Sequence, residues 1–202
     1  MPRSNFLNLT EDGVRSSLSV AIRVARRRFV LDMHGIHGDI HWRSVAFRGQ
    51  MLARCAGADP YVVTLFSILH DSCRESDGYD ERHGHRAAAL AKLMIDRGLV
   101  AATDSQAESL VTACMVHHKL FACRDIADIG ICLDADRLDL SRVGIEPDQN
   151  RLYSCEEVVS SVREVTDRKV ASGDIPSWDS LIDTCVRLFF AGGRELVANE
   201  ER

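Results

Sequence analysis

One apolar segment of the chain ends abruptly in an adjacent histidine and carboxylate. The segment is TLFSILHD, residues 64–71. In a helix, Val63 and Phe66 would share a face with His70, because residues three, four and seven positions apart lie on one side. His70 would then be an inward-pointing polar group at the end of a buried helix. Burying the Asp71 carboxylate is costly without a partner, so we expect either a cation beside this pair or mutual satisfaction of the two side chains.

Composition is that of an ordinary globular protein. The chain has 202 residues, of which 46% are hydrophobic and 27% charged, enough for one compact domain. Its net charge of −5 argues against a nucleic-acid partner, and its apolar runs are too short for a membrane span. The seven cysteines form no CxxC pair, which argues against a zinc ribbon or a redox motif. Their scattered positions favour a reducing, cytoplasmic compartment. A homodimer stays open.

Helical periodicity recurs along the chain, with no β-alternation of useful length. Helix start signals precede several of the periodic stretches. They are Thr10 as an N-cap, Asp59-Pro60, the capping box Thr103-x-x-Gln106 and a second capping box, Ser154-x-x-Glu157. A last helix is expected from about Trp178 to Gly192-Gly193. The sequence therefore predicts an all-α, single-domain bundle of about seven or eight helices.

Six imidazole and carboxylate side chains fall on apolar helix faces or at helix ends. They are His41, His70, Asp71, His83, His117 and Asp136. One such residue alone is most often a satisfied core group, but burying six as structure alone would be very costly. Histidine nitrogen and aspartate oxygen suit first-row divalent metals, and six ligands exceed the need of one catalytic ion. The set predicts two ions sharing a carboxylate, with Asp134 and Asp139 pointing away from it.

The spaced pattern H…HD…D, formed by His41, His70-Asp71 and Asp136, resembles the HD-domain metal-dependent phosphohydrolase superfamily. HGDIHWRSV is similar to that family's first-histidine helix, ILHDSCR to its HD helix and LDADRLDLSRVG to its last-aspartate segment. The resemblance covers about residues 34–145. It implies a single HD-type helical domain, residues 1–202, with its metal site in that range. Residues 146–202 carry no assignable motif and are expected to form helices that pack on this core.

Two further segments match places where members with two metals carry extra histidines. ERHGHRAA supplies His83, with His85 expected to face solvent, and ACMVHH supplies His117 in preference to His118. The resulting H…HD…H…H…D pattern implies a dimetal centre with Asp71 as the bridging carboxylate.

The resemblance implies hydrolysis of a phosphate ester. A pair of Mn, Fe, Ni or Co ions, with Mg as a further choice, would lower the pKa of a shared water so that hydroxide attacks phosphorus. Besides Asp71, His37 is the catalytic candidate, as an acid toward the leaving group. Contacts to the phosphate oxygens are expected from Arg74, Lys119, His118 and Arg137.

Substrate and reaction class stay open at this level. The acidic balance and small size favour a small phosphorylated metabolite or nucleotide. The same ligand pattern also resembles a minority branch of HD-fold diiron oxygenases that act on polyols or phosphonates, and ligand types alone do not separate iron from the other metals. A nucleotide-binding regulatory protein is a second alternative, although the intact ligand set argues against it.

Overall fold

The fold is a bundle of α-helices around one central apolar helix. A computed structural model describes residues 9–119 and 125–200, with side chains up to residue 191. Within these ranges the chain forms eight α-helices and no strand, which confirms the all-α prediction. The helices are α1 Glu11–Arg28, α2 Asp39–Ala56, α3 Pro60–Leu69, α4 His83–Asp96, α5 Asp104–Val116, α6 Ala127–Leu138, α7 Glu156–Ala171 and α8 Trp178–Glu200, with short 3-10 helices at Asp139–Val143 and Gln149–Arg151.

The central helix is α3. Asp59 caps its first turn by accepting from the backbone N–H groups of Tyr61 and Val62, and Pro60 occupies the first helical position. Every side chain from Tyr61 to Leu69 is buried, so this helix needs neighbours on all sides. Helices α1, α2, α5, α6 and α8 provide them. His70 and Asp71, which follow Leu69, therefore lie in the interior of the bundle.

Gly49 lets α2 approach α3 and α6 closely. A Cβ atom at this position would overlap a methyl carbon of Val63 and lie 3.2 Å from the Cβ of Ala135. These three helices carry or precede four of the six predicted ligands, so the close approach draws those ligands together.

The C-terminal helices pack on this core. Helix α7 lies against α2, and α8 lies against α1, α2 and α3. The indole N–H of Trp178 donates to Asp39 at the start of α2, and the Gln50 amide donates to the Leu181 carbonyl. These contacts join the last two helices to the helices that carry the ligands.

The start of α7 differs from the prediction. The helix begins at Glu156, with Cys155 as its N-cap and no side-chain cap bond, so the predicted Ser154–Glu157 capping box is wrong. The backbone N–H of Ser154 instead donates to the buried Asp134 carboxylate, at 2.8 Å. A contact with α6 therefore sets the conformation of this residue.

The end of α8 also differs from the prediction. The helix continues through Gly192-Gly193 to Glu200, because glycine weakens a helix by about 1 kcal/mol without obliging it to stop. Among the described helices, α8 included, none combines the length and apolar character that crossing a membrane requires.

Candidate metal centre

The six predicted ligands converge near the C-terminal end of α3. His41 lies in the first turn of α2, His70 and Asp71 follow α3, His83 begins α4, His117 follows α5 and Asp136 lies in the last turn of α6. All are buried except Asp136, whose side chain is 21% exposed. Most of the six ligands therefore lie at helix ends, and ligands from five helices can reach one small volume.

Four of these side chains form what we call the first cluster: His41, His70, Asp71 and Asp136. The Nε2 atoms of the two histidines lie 3.1 Å apart. Oδ1 of Asp136 lies 3.4 and 3.5 Å from them, and Oδ2 of Asp71 lies 3.6 and 3.8 Å from them. Ligands of one transition-metal ion held at about 2.1 Å lie about 3.0–3.4 Å apart, so these atoms fit one ion after small shifts.

The second cluster consists of His83, His117 and the other oxygen of Asp71. The two Nε2 atoms lie 2.8 Å apart, and Oδ1 of Asp71 lies 3.4 Å from that of His117 and 3.6 Å from that of His83. His118 offers a further nitrogen within 4.8 Å of those of His83 and His117. The two oxygens of Asp71 thus face different clusters, as expected of a bridging carboxylate.

The second cluster depends on close packing of α4 against the end of α5. At Gly84 an added Cβ would lie 2.8 Å from Nδ1 of His118 and 2.9 Å from the Cys114 carbonyl oxygen. Only a residue without a side chain therefore fits between His83 and the histidines that end α5.

The outer nitrogen of each of the four imidazoles faces an oxygen that only accepts hydrogen bonds. The proton therefore lies on Nδ1, and the Nε2 lone pairs point toward one another within each pair. Two lone pairs at this separation repel unless a cation lies between them, either a proton or a metal ion. Outer hydrogen bonds of this kind typically orient metal-binding histidines. The acceptors are Asp139 for His41 at 2.7 Å, the Phe66 carbonyl for His70 at 3.1 Å, the Asp80 carbonyl for His83 and the Cys114 carbonyl for His117 at 2.8 Å.

The pKa values of the histidines reflect this demand for a cation. Burial disfavours the charged form of His41, but hydrogen bonds with two carboxylates outweigh it and raise the pKa of His41 to about 10. Asp71 likewise raises the pKa of His117 against the effect of burial. Burial and the neighbouring charge of His117 lower the pKa of His83 to about 4. A metal ion would compete with the protons of His41 and His117, whose pKa values are raised.

The two carboxylates of the clusters are ionised at neutral pH. Burial alone would raise the pKa of both Asp71 and Asp136, but the surrounding imidazoles hold both pKa values well below their ordinary range. Deprotonated carboxylates and imidazole nitrogens are the ligands that divalent transition metals require. The donor set therefore fits such ions.

Asp139 belongs to the site, contrary to the sequence prediction that it points away. Its carboxylate is 1% exposed and accepts from Nδ1 of His41, from the Ser44 hydroxyl and from Nε of Arg142. Asp139 begins the 3-10 helix that follows α6, and residues three apart share a face in an α-helix and in a 3-10 helix alike. Asp139 therefore turns toward the same side as Asp136.

A cavity of about 340 Å³ opens over the clusters, and Arg74 and His37 both line it. Nη1 of Arg74 lies 3.3 Å from Oδ1 of Asp71 and 3.2 Å from Nε2 of His83, so a positive charge already reaches the second cluster. Nδ1 of His37 lies 2.9 Å from the Asp77 carboxylate. Burial lowers the pKa of His37 despite that contact. The lowered pKa disfavours the charged form of this ring, and the acid role of His37 stays a prediction.

The remaining predicted residues divide into those at the cavity and those away from it. His118 lines the cavity, and His85 is exposed, as expected. Arg137 donates to the carbonyl of Lys119 at 2.9 Å, and the Lys119 side chain is exposed. Neither lines the cavity. The Arg137 guanidinium is engaged with backbone carbonyls, that of Arg151 included. The structure does not bring these two predicted phosphate contacts to the site.

Comparisons of the chain with protein-family models, with curated proteins and with solved structures found no match. The likeness to HD-domain proteins therefore depends on the residues quoted above and on no wider similarity.

Proposed function

We propose that the protein is a metal-dependent phosphohydrolase of the HD type that binds two divalent transition-metal ions and cleaves a small phosphate ester. The observation that carries this proposal is the position of Asp71, whose two oxygens face two separate imidazole pairs. Two-metal hydrolytic sites hold their ions close together in this manner. The mixed nitrogen and oxygen donors suit Mn, Fe, Ni or Co better than Mg, which prefers oxygen alone.

Bound ions would supply Lewis acidity and an activated water for attack on phosphorus. The residues of the chain bind and orient. Arg74 lies at the edge of the second cluster, where its guanidinium can pair with a phosphate oxygen. Arg142 lines the same cavity, and its Nε donates to the Asp139 carboxylate. Asp139 also accepts from Nδ1 of His41 and so keeps the proton on that nitrogen. His118 offers either a further ligand or a hydrogen bond to the substrate.

The cysteines support a reducing, cytoplasmic setting for this activity. The six that lie among the described residues are all free thiols, which is usual in the cytosol. Burial raises the pKa of Cys114 and Cys132, so these two are packing residues and not nucleophiles.

The Asp71→Ala variant tests the proposal. Because Asp71 serves both clusters, we expect loss of both ions and of turnover. Elemental analysis of the purified protein and phosphate release from a panel of mono- and diesters, with Mn, Ni, Co, Mg and Fe, measure the two effects. Asp134→Asn is the matched control, because the buried Asp134 carboxylate bonds backbone N–H groups of Tyr153 and Ser154 and should leave metal content unchanged.

Full activity in the Asp71→Ala variant would contradict the mechanism. Oxygen consumption by the iron-loaded protein on polyols or hydroxyphosphonates, without phosphate release from any ester, would replace the hydrolase with an oxygenase. Tight nucleotide binding without turnover in any metal would instead indicate a regulatory protein.

A further inference from the structure

The mouth of the cavity carries an apolar wall that hydrolysis itself does not require. Ile36, Tyr79, Leu140 and Val143 line the cavity, and they are 46%, 87%, 37% and 41% exposed. Ten large hydrophobic side chains are exposed among the described residues, and these four border one opening. Scattered exposed hydrophobic residues need no explanation, but a group at the mouth of a site indicates a contact surface.

Hydrogen bonds hold the loops that carry this wall. Two of its members lie on the 3-10 helix that follows α6, and Arg142 of that helix donates to the Ile36 carbonyl. The His37–Asp77 hydrogen bond then joins the loop of Ile36 to the loop of Tyr79 between α3 and α4. The wall is therefore assembled from three segments that contact one another over the clusters.

Two charged side chains at the mouth make hydrogen bonds within the protein. Arg74 donates to the Ser76 and Gly78 carbonyls as well as to Asp71, and Asp80 accepts from Arg86. A sugar or polyol chain would compete with these internal hydrogen bonds, and any hydroxyl group that faces the apolar wall would lose its hydrogen bonds to water. Exposed Glu81 also lines the mouth, and its charge disfavours a second anionic group on the ligand.

We propose that the site takes a phosphate monoester whose alcohol part is a flat, mainly apolar ring system. The phosphate lies at the clusters, the ring stacks on Tyr79, and its edge contacts Ile36, Leu140 and Val143. This inference deepens the proposed function and rests on its metal site. A volume of about 340 Å³ is that of a small-ligand pocket, and one stacked ring contributes about tenfold or more in affinity.

Binding of two phosphonates that cannot be hydrolysed tests the inference. We would measure the affinity of manganese-loaded protein for 1-naphthylmethylphosphonate and for methylphosphonate by calorimetry. The naphthyl compound should bind about tenfold tighter. Tyr79→Ala should remove most of that difference and Tyr79→Phe should keep it, while methylphosphonate binds all three proteins alike. Leu99→Ala is the matched control, because Leu99 is 47% exposed and does not line the cavity.

Equal affinity of the wild type for the two phosphonates would overturn the inference. A preference that survives both Tyr79→Ala and Leu140→Ser would overturn the assignment of the wall, and failure of both compounds to bind would overturn the phosphate position as well. Phosphate release is assayed separately on 1-naphthyl phosphate and glycerol phosphate. Aryl preference in binding without hydrolysis contradicts only the proposed function, and hydrolysis without any preference contradicts only this inference.

Discussion

The imidazoles of the two clusters can bind a cation only while their protons stay on Nδ1. For three of them a backbone carbonyl enforces this state, and no side-chain substitution removes a carbonyl. His41 is the exception, because its Nδ1 donates to the side chain of Asp139. Burial opposes ionisation of Asp139, but His41, Arg142 and Ser44 hold its pKa below the ordinary value. Substitution of Asp139, which is not one of the predicted ligands, can therefore change the tautomer of His41 and weaken the first cluster.

We expect Asp139→Asn to weaken metal binding at the first cluster by about 10- to 100-fold, the usual effect of losing the hydrogen-bond partner of a ligand. An asparagine amide can donate to Nδ1 of His41, which would move the proton to Nε2 and remove the ligand lone pair. Calorimetric titration with manganese measures the two binding steps. The second step should be unchanged, and wild-type affinity at both sites would contradict the role given to Asp139.

Sequence periodicity and helix ends pointed to the ligand positions, and the family resemblance decided for His83 over His85. Periodicity did not predict Asp139, because Leu140, four residues after Asp136, is the apolar residue there, whereas the structure exposes Leu140 and buries Asp139. Arg137 was also expected to contact the phosphate. Its guanidinium instead bonds the carbonyls of Lys119 and Arg151, which are 18 and 14 residues away and which no local pattern reveals.

The sequence predicts a helix N-terminus correctly where local hydrogen bonds determine it, and not where a hydrogen bond to a residue far along the chain does. Thr103 and Gln106 bond each other's backbone, so the predicted capping box of α5 is confirmed. The proposed box Ser154-x-x-Glu157 has residue types that form a capping box equally well. There a backbone N–H donates to Asp134, 20 residues away, and this long-range contact overrides the local signal.

The α4–α5 contact yields a prediction for Gly84→Ala. The added methyl group would meet the His118 ring and two backbone carbonyls of α5. Since backbone yields little, α4 must shift and separate His83 from His117. We expect the second ion to bind at least tenfold more weakly and the first to bind as before, with a stability loss of about 1–3 kcal/mol. Manganese titration and urea unfolding measure the two effects.

The control for Gly84→Ala is Ala89→Gly, an exposed position on the same helix. It should lower stability by about 1 kcal/mol without changing either binding step. Equal weakening of both ions by Gly84→Ala would show that the clusters do not respond separately to the packing of α4.

For the molecule as a whole, a buried guanidinium joins the C-terminal helices to the metal centre. Arg48 on α2 is fully buried and donates to the Thr166 hydroxyl and the Asp167 carboxylate of α7, at 2.7 and 2.6 Å. Its Nε also lies 3.5 Å from Asp139, which holds His41. An uncompensated buried charge would be strongly destabilising, so α7 completes the charge balance beside the first cluster.

Asp167→Asn should therefore destabilise the whole bundle in a pH-dependent way. Partial burial opposes ionisation of Asp167, but Arg48 and Arg163 outweigh it and hold its pKa below the ordinary value of 3.8. A depressed pKa contributes stability that is complete above the unfolded-state pKa and is lost as the pH falls through the folded-state pKa. We expect a loss of about 1–2 kcal/mol at pH 7, a range that allows for screening of a partly exposed carboxylate.

Urea unfolding of metal-free wild type and Asp167→Asn at a series of pH values measures this contribution. The difference in unfolding free energy should be constant above about pH 5 and should shrink as the pH falls below 3.8, the ordinary pKa of Asp167. Glu146→Gln is the control, because Glu146 also pairs with Arg163 but is exposed, and its loss should change stability little at any pH. A difference that persists undiminished at pH 2 would mean that Asp167 acts through packing, and that the charge of Arg48 is balanced without α7.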